Sequence, residues 1–134
     1  MLHYMISHEP FLFNADGTLH PLASFTKPDA YISSIEFTNT VVNGIVNEIR
    51  SGFNGKDYVI VVQSDHGFKF DEKDPFFESE SCEIFYAVYA SDKTIAACTD
   101  DISSVNGCRL IFNKYFNSGF LLLPSCSYTL TSPE

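Results

Sequence analysis

Apolar residues fall in short runs along this chain, divided by polar turn signals, and the spacing inside each run predicts its element. Residues 2–7 (LHYMIS) read as a short strand, ended where Pro10 removes a backbone donor. Asn14, Ala15, Asp16, Gly17 and Thr18 form a turn signal, and residues 19–29, with Pro21 and Pro28, read as loop. From Tyr31 to Arg50 the apolar positions Ile35, Val42, Ile45, Val46 and Ile49 recur at helical spacing. Asp29 or Ser33 is placed to cap that helix, and Gly52 stands where its end wants a left-handed residue.

A turn at residues 54–57 leads into a strand at residues 58–63 (YVIVVQ). Its apolar residues are consecutive and not alternating, the pattern of a strand covered on both faces. Residues 69–83 are acidic and aromatic and read as loop around Pro75. A further apolar strand spans 84–90. Asp100 or Asp101 then caps a last helix, with Val105, Cys108, Ile111, Phe112 and Tyr115 on one face. The tail from Leu121 shows no usable period. This order predicts one domain, residues 1–134, of α/β class with a mainly parallel sheet flanked by helices. Ligands of such sheets bind beyond the carboxyl ends of the strands. His8, Asp65 and His66 each follow a predicted strand, which would place them along one edge of the sheet.

Composition narrows the function. With 45% hydrophobic and 19% charged residues the chain has a globular balance. Its eight basic and seventeen acidic residues give a net charge of -9, which argues against a nucleic-acid groove. No apolar run reaches the roughly 18–20 residues of a membrane span, and the first residues lack a signal-peptide layout. Cys82, Cys98, Cys108 and Cys126 are widely spaced and read as thiols, not as a zinc cluster.

The chemistry-bearing stretch is Ser64-Asp65-His66-Gly67, delivered by the apolar strand at 58–63. A carboxylate and a neutral imidazole both suit a divalent metal, if the chain turns at once so that they converge. Gly67 permits such a turn. The plainer alternative is an aspartate that turns the chain beside a surface histidine.

Three segments, in order, resemble one family. HYMISHEPFLFNADG is similar to the H-x-x-x-P-H-x-P-F-x-F-x-x-x-G stretch of bacterial sulfatase-like proteins of the alkaline phosphatase superfamily. The resemblance is to the lipoteichoic acid synthase and phosphoethanolamine transferase branches. YVIVVQSDHG resembles the strand and (S/G)DHG that carry metal ligands there, and ISSVNGCRLIFNKYFNSGFLLLPSCSY the closing T-x-V-N-x-F-R-x-x-x-N-x-Y-F…L-L-P-x-x-S-Y. Three positions depart: Ser7 stands where proline precedes the histidine, Glu9 where an apolar or proline residue is common, and Cys108 where phenylalanine is usual.

The resemblance implies the C-terminal part of a sulfatase-like domain, a partial alkaline phosphatase-like fold. It implies Asp65 and His66 as ligands of a divalent metal, manganese or zinc, with magnesium or calcium as alternatives. His8 becomes the catalytic residue that contacts the transferred phosphate or sulfate. Family members take a further acidic ligand and a Thr, Ser or modified Cys nucleophile from an earlier segment with no counterpart here. The implied activity is hydrolysis or transfer of phosphate or sulfate esters, weak or absent in this chain alone. Relatives are often membrane-anchored with an extracytoplasmic domain, so localisation stays open. The alternative is a non-catalytic α/β module that self-associates as a homo-oligomer or pairs with another chain through exposed edges.

Overall fold

The computed structural model of the protein describes residues 1–21, 28–53, 55–69, 73, 75–93, 102–124 and 126. The chain divides into two compact units, Met1–Lys56 and Asp57–Glu134.

In the first unit, helix α1 spans Pro28–Gly52, with Pro28 starting it, Asp29 in its first turn and Arg50 in its last. Pro at the start removes a donor that would have no helical partner, and each charge opposes the dipole at its own end. The helix predicted over 31–50 is therefore present and slightly longer. Its first turns bury Ala30 and Ser34. The Ser34 hydroxyl donates to the Phe13 carbonyl at 3.1 Å, which offsets the cost of burying it. Around it the Phe11 ring meets Tyr31 edge-on at 5.2 Å and Phe13 meets Phe37 at 5.1 Å.

The turn expected at residues 14–18 closes as predicted. Asn14 N–H donates to the Thr18 carbonyl at 2.8 Å, and Phe13 bridges Leu19. Gly17 has φ +83°, and an added Cβ would lie 2.7 Å from the Phe37 ring, so backbone and packing both require glycine. Residues 1–10 contain no strand, which corrects the expectation at 2–7. Leu2, Tyr4 and Met5 are exposed, and without a neighbouring strand an apolar run has nothing to pair with.

The second unit holds strand β1 (Val59–Gln63), helix α2 (Phe77–Cys82), strand β2 (Tyr86–Ala90) and helix α3 (Ser104–Phe116). The mainly parallel sheet is overturned: the sheet among the described residues has two strands, paired antiparallel from Val59↔Ala90 to Gln63↔Tyr86. Serine hydroxyls close both ends of this ladder. Ser64 Oγ accepts from Phe85 N–H at 2.9 Å, and Ser91 Oγ from Tyr58 N–H at 2.9 Å. The consecutive apolar residues of β1 did not mark a strand covered on both faces, since Val61 is exposed and its neighbours half-buried. Its run reflects the β preference of Val and Ile, which does not distinguish parallel from antiparallel pairing. The loop expected over 69–83 contains α2.

Helix α3 begins at Ser103, whose hydroxyl accepts from Asn106 N–H. The predicted caps Asp100 and Asp101 lie outside the described residues. The buried side of α3 is not the predicted apolar face. Val105, Cys108 and Phe112 are exposed, whereas Asn106 and Gly107 are buried. Gly107 meets the Tyr86 ring of β2 so closely that an added Cβ would collide with its hydroxyl oxygen.

The polar side of α3 holds the chain that follows it. The Asn106 amide donates to the Leu123 carbonyl and accepts from Leu123 N–H, both at 2.8 Å. Asn113 does the same with Phe120, at 2.7 and 2.6 Å. Between them Arg109 donates to the Leu121 carbonyl at 2.9 Å, its guanidinium 5.6 Å from the Phe120 ring centre. The spacing explains the fit. Seven helical residues rise about 10.5 Å and three extended residues cover about 10 Å, so the two amides meet residues three apart on an antiparallel arm.

Candidate functional site

Asp65 and His66 follow β1 directly, in a bend held at both ends. Before them, Ser64 N–H donates to the Phe85 carbonyl at 2.9 Å, in addition to the hydroxyl contact above. After them, Gly67 N–H donates to the Ser81 carbonyl at 2.8 Å, at the C-terminal end of α2. A Cβ on Gly67 would overlap the carbonyl oxygens of Glu80 and Glu83. The glycine therefore serves close approach of two backbones, and not the positive φ of a tight turn. The sequence pointed to Gly67 for the turn; α2, which makes it obligatory, was not expected.

Within this frame His66 Nδ1 lies 2.6 Å from the Gly67 carbonyl oxygen. A carbonyl only accepts, so Nδ1 carries the hydrogen and the neutral ring keeps its Nε2 lone pair. Metal-binding histidines are oriented in this way, with the second nitrogen on a carbonyl or carboxylate. Nε2 lies 3.9 Å from Asp65 Oδ2, with the side chains 41% and 83% exposed. Two ligands at about 2.1 Å in a tetrahedral shell stand about 3.4 Å apart, a little closer than these two atoms. Both donors thus fit a divalent cation. Among the described residues, however, no group of three His, Cys, Asp or Glu side chains is gathered as a metal site.

His8 lies in the first unit, in a turn where its N–H donates to the Met5 carbonyl at 3.3 Å. It is exposed and follows no strand, so its expected place at a strand's carboxyl end is corrected. Its ring repeats the arrangement of His66: Nδ1 is 2.6 Å from the Glu9 carbonyl oxygen, and Nε2 carries the neutral lone pair. Cys82, Cys108 and Cys126 are exposed, and none of the three is in a disulfide. No helix among the described residues is long and apolar enough to cross a membrane.

The ladder on α3 escaped sequence reasoning, although its signal was present. Asn106, Arg109 and Asn113 stand at i, i+3 and i+7, one helical face, but a search for apolar periodicity passes over polar residues. Comparison with protein-family models, with curated proteins and with solved structures finds no match.

Proposed function

We propose that this chain carries the metal-ligand part of a sulfatase-like hydrolase or phosphotransferase acting on phosphate or sulfate esters. The observation that supports this reading most is the joint presentation of Asp65 Oδ2 and His66 Nε2 after β1, with the His66 tautomer set by the Gly67 carbonyl. Asp65 and His66 hold the cation, manganese or zinc by ligand chemistry. A bound cation polarises an ester oxygen and neutralises charge that develops in transfer. Asp65 contributes the anionic oxygen and His66 a neutral nitrogen, while Ser64 and Gly67 fix the backbone that carries both. His8 takes its role from the family resemblance. With Nδ1 on the Glu9 carbonyl, Nε2 is the ring nitrogen left to meet an ester oxygen. None of the segments that resemble the family supplies the nucleophile or the further acidic ligand. Two ligands are fewer than the three or four that tight sites use, so weak binding and little or no turnover by this chain alone are expected.

Calorimetric titration with manganese and with zinc tests the reading. The expected result is weak binding to the wild-type chain, lost in Asp65→Ala and in His66→Ala. A flat wild-type titration, or variants that bind as well as wild type, would remove it. Assays on aryl phosphates, aryl sulfates and phosphodiesters test its second part. Robust turnover abolished by Asp65→Ala would show that the chain holds a complete site.

A further inference from the structure

The arm at residues 120–123 is held to α3 by contacts that a second molecule can make equally well. Every hydrogen bond from the side chains of Asn106, Arg109 and Asn113 to the arm ends on a main-chain atom. The hydrogen bonds of the ladder therefore read an extended backbone, and Phe120 is the arm side chain that meets α3, through Arg109 and Phe112. Leu121, Leu122 and Leu123 remain 82%, 53% and 47% exposed, so their burial does not tie the arm to its own helix. The link is residues 117–119 alone. It reverses the chain through two left-handed residues, Asn117 at φ 50° and Gly119 at φ 68°. Extending this link carries the arm away from its own ladder.

We propose that the chain forms a two-fold dimer by arm exchange, with residues 120–123 of each copy on the Asn106–Arg109–Asn113 ladder of the other. Each ladder keeps its bonds, and the exchange adds burial. Phe112, Phe116 and Phe120 form one exposed cluster, with ring centres 5.6 and 6.3 Å apart, and Leu121, Leu122 and Leu123 continue it. At about 150–200 Å² per side chain their exposed parts amount to about 600 Å² per copy, or about 1,200 Å² for the pair. That reaches the lower bound for a specific interface. Because both copies use one patch, the contact closes at two. The dimer needs neither Asp65 nor His66, so it stands or falls apart from the metal reading, and it gives the self-associating alternative a face and a partner.

Two measurements on the full chain test it. In an equimolar mixture of isotope-labelled and unlabelled protein, isotope-filtered NMR is expected to show contacts between the Asn106 amide of one molecule and Leu123 of another. Purely intramolecular contacts, or a monomer at every concentration, would overturn the proposal. Leu121→Asp leaves every ladder bond available, and it is expected to weaken dimerisation at least about tenfold in sedimentation. Unchanged dimerisation would overturn the exchange equally.

Discussion

Asn106 and Leu123, seventeen positions apart, pair as two strand residues would. The buried Asn106 amide gives one hydrogen bond to the Leu123 backbone and receives one from it, both 2.8 Å long. A side-chain amide here takes the place of a peptide group, and with Asn113 it lets a helix hold an extended segment without a third strand.

Replacing this amide is expected to cost more than replacing an apolar neighbour. Asn106→Leu leaves the Leu123 N–H and carbonyl without partners and should destabilise the chain by about 2–3 kcal/mol in urea unfolding. Asn106→Asp keeps the acceptor but sets a carboxylate oxygen against the Leu123 carbonyl, and should cost at least as much. A loss from Asn106→Leu no greater than from Val105→Ala, at an exposed site, would show that the pairing is incidental.

Gly67→Ala should destabilise by about 3 kcal/mol, because the new methyl meets backbone oxygens of α2 that cannot turn aside. Gly44→Ala tests the opposite case. Gly44 lies inside α1 with nothing within 4 Å of an added Cβ, and alanine there should stabilise by about 0.5–1 kcal/mol. Thermal melts of the two variants should therefore move in opposite directions.

Asp16 offers a pH test in the first unit. Its Oδ1 accepts from the Thr18 hydroxyl at 2.6 Å and from Thr18 N–H at 2.9 Å, and the hydroxyl bond is the larger cause of a pKa below the ordinary 3.8. A carboxyl with a lowered folded pKa stabilises the fold fully above its unfolded pKa. That contribution is lost as pH falls through the lowered folded value. An NMR titration should place the Asp16 midpoint below 3.8, and Thr18→Val should move it upward. An unchanged midpoint in Thr18→Val would assign the shift elsewhere.

Asp65→Ala and His66→Ala should each change unfolding free energy by no more than about 0.5 kcal/mol, since both side chains are exposed. Loss of metal binding without loss of stability is then the expected signature of a ligand pair. Loss of both together would mean that the pair serves the fold.

The sequence by itself determined most of the local elements, though not α2, and it wrongly placed a strand at residues 2–7. Helical spacing located α1 and α3, apolar runs located β1 and β2, and the Asp16-Gly17 signal located its turn, because each depends on propensity and period within a few residues. It also singled out Asp65 and His66 as a pair. Only the tertiary structure decided the antiparallel pairing of β1 with β2, since a strand's composition is indifferent to its neighbour's direction and Ser64 and Ser91 set the register across a long connection. It also decided which face of α3 is buried: polar side chains go inward when backbone groups distant in sequence satisfy them, and no periodicity of apolar residues carries that information.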